Sequence, residues 1–347
     1  MRRATLNRWA VTLLGLALAL TLLSPADAAA PEKWTTTVFA RVPAPGYPAY
    51  VLEHRNGRVY AGTYIDAGSR QRSKVFEWTA DGTLTRSWTV PGQVLGQHGV
   101  QVANQTRDGR LVLLETSTAS VLVLDIRTGR FTRVARLPAG AVPNYATWIP
   151  GGSLLVTDYS QGVIWRVRRD GRVSKWFTSQ ALTGFEFGTT GIVYRRGPHD
   201  LLITQQTTLD GDTLPTNGAL FRLPVTGQGR PGRLSTLWTS RPAELPDGFG
   251  IGRSGHIYVA LAGLSAQLVE LSAKGEELDR FPEAPLTGNN GSPIPFDTPC
   301  SATFHGTSVL VANQSAILGD SANQAILAVE VGERGRAPYL PKQARFR

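Results

Sequence analysis

The chain has one cysteine, Cys300, and one methionine among 347 residues. A single cysteine excludes a disulfide framework, a four-cysteine zinc site and a CxxC redox motif. Charge is scarce as well, at 18% of residues against roughly a quarter in ordinary chains. That argues against a coiled coil or a helical bundle, both of which need many Glu, Lys and Leu. No GxSxG, HExxH or Walker motif is present. Two GxGxxG matches occur, at Gly227, Gly229 and Gly232 and at Gly250, Gly252 and Gly255. Neither opens a helix after a strand, so neither is a phosphate-binding turn.

Glycine (37) and proline (22) are plentiful, and the 41% hydrophobic share is too high for wholesale disorder. Residues 1–30 read as an export address. Arg2, Arg3 and Arg8 precede an apolar run from Trp9 to Leu23, and Ala26-Asp27-Ala28 forms an A-x-A cleavage site. The run is short of the roughly 20 residues that span a bilayer, and no later segment has 18 consecutive apolar residues. The expectation is a secreted protein, with residues 31–347 as one domain and no integral membrane segment after cleavage. The alternative is an uncleaved anchor.

Loss of three Arg and Asp27 with that segment takes the net charge from +10 to +8. Basic residues are 31 Arg and 5 Lys, scattered through turns (Arg110, Arg130, Arg172, Arg253) rather than clustered along the chain. Export argues against nucleic acid. The expectation is a solvated basic surface, weakly attracted to an anionic cell envelope.

The chain repeats six times. Second strands read RVYAG (58–62), RLVLLE (110–115), SLLVTD (153–158), DLLIT (200–204), HIYVA (256–260) and SVLVAN (308–313). Third strands read KVFEW (74–78), VLVLD (121–125), VIWRV (163–167), ALFRL (219–223), QLVEL (267–271) and AILAV (325–329). Asp81-Gly82, Thr128-Gly129 and Asp170-Gly171 turn into fourth strands. The units open at intervals of 51, 46, 46, 57 and 53 residues, close to the roughly 40–50 that a four-stranded blade needs. This predicts an all-β fold, a six-bladed β-propeller of four-stranded antiparallel blades around a central channel. A two-sheet sandwich would not repeat one strand order six times. The sixth unit lacks a fourth strand after Val331, so TTTVFAR (35–41) is expected to close the ring as its outer strand rather than form an independent arm. Loops 205–218 and 279–299 are expected to cover a ligand.

First strands line a propeller's channel. Their openings give a ring of Gly46 or Tyr47, His98, Asn144, Thr190, Asp247, and Pro299 or Cys300. Oxygen-bearing side chains facing one another suit a hard cation such as Ca2+.

At these positions the sequence resembles the senescence-marker-protein/gluconolactonase/regucalcin group, with its paraoxonase and strictosidine-synthase-like relatives, over residues 45–330. LPDGFGIGRSGHIYVAL (245–261), VPNYATWIPGGSLLVTDYSQGVIWRV (142–167), FGTTGIVY (187–194) and QHGVQV (97–102) carry the resemblance. It implies Asp247, Asn144 and the Thr190 position as metal ligands, and His98 and Asp247 as catalytic groups. It also implies departures. The family's first-blade Glu falls at Gly46, and its fourth-blade Asn at Thr190, leaving one carboxylate. Glu53, Glu186 and Asp297 are the candidate replacements.

The expected function is metal-dependent hydrolysis of a small lactone or ester at the channel mouth. The alternative is a non-catalytic propeller that binds a small ligand, glycan or protein. A third reading is a metal-independent, strictosidine-synthase-like condensation. A second carboxylate near Asp247 would favour hydrolysis. A channel lined by Tyr47, Phe185 and Trp148 without one would favour binding. Cys300 is expected to be a small buried hydrophobe.

Overall fold

The structure, a computed structural model, describes residues 31–65, 68–209 and 216–347. The expected export segment therefore lies outside the described residues. Residues Glu32–Arg347 form one compact unit.

Six four-stranded antiparallel sheets make up this unit. The chain enters on β1 (Thr36–Arg41) and then lays down five blades in sequence order. Blade 1 is β2 (Pro48–Glu53), β3 (Val59–Thr63), β4 (Lys74–Trp78) and β5 (Leu84–Thr89). Blade 2 is β6 (Val100–Gln105), β7 (Leu111–Glu115), β8 (Ser120–Asp125) and β9 (Arg130–Arg136). Blade 3 is β10 (Pro143–Trp148), β11 (Leu154–Asp158), β12 (Val163–Val167) and β13 (Val173–Thr178). Blade 4 is β14 (Thr189–Arg195), β15 (Asp200–Gln205), β16 (Asn217–Pro224) and β17 (Ser235–Pro242). Blade 5 is β18 (Pro246–Ile251), β19 (Ile257–Leu261), β20 (Gln267–Leu271) and β21 (Glu277–Phe281).

Blade 6 is β22 (Pro299–His305), β23 (Ser308–Asn313) and β24 (Ala325–Glu330), completed by β1 on its outer edge. The spare strand thus closes the ring as the sequence predicts, with Thr36 opposite Val329 and Arg41 opposite Ala325. This joins the two ends of the fold and covers an edge that would otherwise be open.

Burial follows position within the blade. The inner strands β6, β10 and β18 are buried at every residue. The outer strand β5 is exposed at five of its six positions. The core therefore lies between adjacent blades. One such cluster packs Val112 and Leu114 of blade 2 against Trp148 and Val156 of blade 3.

Strand direction gives the two faces different contents. The 1–2 and 3–4 turns of each blade lie on one face. The 2–3 loops and blade-to-blade connections lie on the other, where the first strands begin. The 205–218 and 279–299 segments both belong to this mouth face, with residues 210–215 outside the described part. After β24 the chain runs across the turn face. It bonds Arg336 N–H to the Ile251 carbonyl, packs Tyr339 against Tyr194 and buries Phe346 beside Trp148.

Candidate functional site at the channel mouth

Every blade makes the same backbone bond at the mouth. The residue after the second strand donates to the residue just before or opening the first. The pairs are Tyr64 to Tyr47, Thr116 to Gly99, Tyr159 to Val142, Gln206 to Gly188, Ala262 to Leu245 and Gln314 to Thr298, at 2.8–3.1 Å. Counting two residues on from each acceptor gives the equivalent ring: Ala49, Gln101, Asn144, Thr190, Asp247 and Cys300, all buried.

Asn144, Thr190 and Asp247 thus share one register, as the sequence predicts, and Cys300 does too. Blades 1 and 2 differ from the expectation. Gly46 and His98 each lie three residues before the equivalent positions, which are Ala49 and Gln101. The Gly-Tyr-Pro and His-Gly turns look like strand openings in sequence, but hydrogen-bond register starts later.

Asp247 is the centre of the site. One carboxylate oxygen, Oδ2, accepts from Gln206 Nε2 at 3.0 Å. The other, Oδ1, is buried without a partner, and so is Asn144 Oδ1. Burial pushes the Asp247 carboxyl up to about 8, against the pull of its hydrogen bonds. The neighbouring phenol of Tyr145 commits its one proton to the Cys300 carbonyl oxygen at 2.7 Å. Tyr64 and Tyr159 also lie within the field of Asp247, and burial raises both phenols.

The other expected residues have distinct settings. Thr190 Oγ1 is satisfied, sharing a hydrogen bond with Thr204 at 3.1 Å and donating to the Pro246 carbonyl at 3.2 Å. His98 is half-buried and stacks on Tyr64 with ring centroids 4.5 Å apart. Its Nδ1 faces the Ile65 carbonyl at 3.0 Å. That bond fixes the tautomer with Nδ1 protonated and leaves Nε2 with a free lone pair.

None of the candidate replacement carboxylates joins Asp247. Glu53 stands at the far end of β2, 3.3 Å from His305. Glu186 is exposed on the β13–β14 loop. Asp297 is buried but holds Ser315 and Asn323. Trp148 is likewise at the far end of its strand, donating to the Gln105 carbonyl. The aromatic lining consists instead of Tyr50, Tyr64, Tyr145 and Tyr159. Tyr50 and Tyr145 pack at 4.4 Å, and burial pushes the Tyr50 phenol up to about 12. Tyr64, Tyr159 and Gln206 were legible in principle, because each directly follows a second strand.

Cys300 is buried, with its thiol facing the Pro48 and Ala312 carbonyls at 3.4 and 3.5 Å. Burial pushes the thiol up, so it stays protonated and inert.

A second group of ligand-type atoms lies outside the channel. His256, Glu270 and Glu333 bring one such atom each to within 4.8 Å of one another. Here a cation is already supplied by the protein. Lys33 Nζ sits 2.6 Å from Glu270, while Tyr258 and Ser254 donate to the carboxylates.

The mouth is rimmed by apolar side chains. Among the described residues, nine of the eleven exposed large hydrophobic side chains lie on its loops, with Leu286 72% and Leu318 73% exposed. The remaining two, Leu84 and Leu278, are on outer strands.

This architecture is similar to that of several solved structures. A calcium-binding protein, regucalcin, from Agrobacterium tumefaciens aligns over 85% of this chain and 92% of its own, at 17% identity and TM-score 0.60. A gluconolactonase from Xanthomonas campestris aligns over 86% and 88%, at 13% identity and TM-score 0.58. Virginiamycin B lyase from Staphylococcus aureus, solved with quinupristin, aligns over 83% and 82%, at 15% identity and TM-score 0.54. The sequence matches no family model and no curated protein. The likeness is one of fold. Among the described residues no helix is long and apolar enough to cross a membrane.

Proposed function

We propose that the mouth site hydrolyses a small lactone or ester with the help of a divalent cation, Ca2+ by its oxygen donors. The observation that carries this reading is the pair of buried, unpartnered oxygens, Asp247 Oδ1 and Asn144 Oδ1. A buried polar atom without a partner is costly, and a hard cation satisfies both. The donor set fits such an ion, with one charge. Asp247 and Asn144 would hold it; Thr190, already satisfied, contributes framework.

When bound, the cation supplies Lewis acidity to a substrate carbonyl. Asp247 is poised to change protonation near neutrality, and its negative form is the one that binds a cation. His98 Nε2 accepts the proton of the attacking water. The tyrosines shape the pocket and exclude bulk water. The apolar rim selects a substrate with a hydrocarbon portion.

A calorimetric calcium titration after chelator stripping, paired with a lactone and ester panel, tests this. One saturable site, lost with turnover in Asp247→Ala, is expected. No heat up to millimolar calcium and no turnover would overturn it.

A specific observation also favours a second reading, a non-catalytic binding propeller: the site has one carboxylate and several tyrosines. That reading expects a ligand to bind without turnover and to protect the protein thermally in the absence of metal.

A further inference from the structure

The arginines that look scattered along the chain gather on one face, in its turns and in the tail that crosses it. The 1–2 and 3–4 turns project away from the mouth; 12 of the 28 described arginines sit in these turns, and Arg334, Arg336, Arg345 and Arg347 lie in the tail that crosses the same face. Sequence separation hides this, because consecutive turns are a blade apart in the chain yet adjacent in space.

One part of this face is knit together by the C-terminal tail. Arg55 Nη1 donates to the Arg107 carbonyl at 2.6 Å, linking blades 1 and 2. Arg107 N–H donates to the Ala344 carbonyl at 2.6 Å, linking blade 2 to the tail. Arg347 N–H donates to the Arg169 carbonyl at 2.9 Å, linking the tail to blade 3. Arg55, Arg107, Arg168, Arg169, Arg345 and Arg347 thus line one continuous arc. None of the six forms a side-chain ion pair with an Asp or Glu among the described residues. The nearby carboxylates are taken, Asp108 by Arg110 at 3.1 Å and Asp170 by Arg172 at 3.2 Å.

Two further observations concern Arg169 in the arc and its neighbour Arg166 on β12. Arg169 Nε and Arg166 Nε are buried with no hydrogen-bond partner. Burial, and then the like charge of Arg168, lowers the Arg166 guanidinium below its ordinary range. Guanidinium groups held together in this way are costly unless an anion satisfies them.

We infer that this arc is a binding site for a linear phosphate polymer, running across the turns of blades 1 to 3 and the tail. Guanidinium forks match phosphate oxygens in bidentate geometry, and a row of them matches repeating phosphates. A membrane fits less well, since the exposed large apolar side chains lie on the opposite face or on outer strands. Nucleic acid fits less well, since base stacking needs free aromatic rings, and the tail's two aromatics, Tyr339 and Phe346, pack against Tyr194 and Trp148. The site is independent of the mouth chemistry.

The test is the binding of a polyphosphate chain of about 25 phosphates by the full chain, measured by calorimetry at several salt concentrations. Arg107→Glu with Arg345→Glu removes the centre of the arc. Arg70→Glu with Arg72→Glu makes the same change in net charge on the mouth face. The arc pair is expected to weaken binding roughly tenfold or more and to lower the salt slope by about two. The mouth-face pair is expected to change affinity less than about twofold. Melting curves of both pairs report folding, and Arg107→Lys with Arg345→Lys, which keeps the charge, should restore most of the affinity. Equal weakening by both pairs would overturn the site in favour of net charge. Absence of binding near physiological salt would also overturn it. Tighter binding to anionic vesicles or to a DNA duplex of matched charge would overturn the assignment to a phosphate polymer.

Discussion

The Tyr145 hydroxyl reaches from the inner strand of blade 3 to the carbonyl oxygen of Cys300 on blade 6, 2.7 Å away. It is a cross-channel bond, and it passes over glycine. A β-carbon on Gly248 would sit 2.4 Å from that hydroxyl and 2.8 Å from the Ser301 α-carbon. Gly248 follows Asp247 directly, so the residue that clears a path for Tyr145 is the chain neighbour of the buried carboxyl.

Gly248→Ala is therefore expected to displace Tyr145 and to abolish mouth-site activity or ligand binding. It should also cost about 1–3 kcal/mol of stability, as overpacked cores do. Tyr145→Phe, which removes only the bond, should cost about 1 kcal/mol and retain the site's shape. Denaturant melts of the two variants check this.

Asp247 gives the metal-free protein a defined pH response. Its folded pKa, about 8, is above the unfolded carboxylate value. The folded state thus holds a proton that the unfolded state has lost between about pH 4 and about pH 8. Its contribution is full below about pH 4 and is lost as pH rises through about 8. The melting temperature of the wild type should fall over that window more than that of Asp247→Asn. Saturating calcium at about pH 8 should cancel the fall, because the cation takes the proton's place.

His305 gives a second response at the joint between blades 6 and 1. Its Nδ1 faces Glu53 at 3.3 Å and its Nε2 faces the Ala80 carbonyl at 3.0 Å. Glu53 holds the imidazole above its ordinary range. The contribution is thus present below about pH 6.5 and lost as pH rises through the raised value. His305→Gln should be less stable than wild type at about pH 5.5, by roughly 0.5 kcal/mol for so exposed a pair. The difference should vanish by about pH 9.

Phe346 anchors the tail by packing against Trp148 at 5.3 Å. Phe346→Ala is expected to cost about 3 kcal/mol, in line with other buried Phe truncations. It should also weaken polyphosphate binding, since Arg345 and Arg347 depend on the tail's course. Urea unfolding and the binding assay above read both effects.

Much of the fold is legible in the sequence because blades repeat. Six unit openings, Asp-Gly turns and a spare β-rich segment at residues 35–41 require little beyond strand periodicity and the need to cover an open edge. Part of the site is legible for the same reason, since Asn144, Thr190 and Asp247 recur at one position of the repeat. Blades 1 and 2 mislead, because Gly46 and His98 mark turns while register begins three residues later. The tyrosines escape notice because Tyr64 and Tyr159 directly follow second strands, which a ring built from first strands passes over.

The sequence by itself determined six blades, the strand that closes them and the placing of a lone carboxylate at the channel. Periodicity and hydrophobic alternation act locally, so they can be read along the chain. Tertiary structure alone decided which groups meet Asp247, that Glu53 turns to His305 instead, and that dispersed arginines share one face. These depend on side chains brought together from blades tens of residues apart. Their burial and electrostatics arise only when the ring closes.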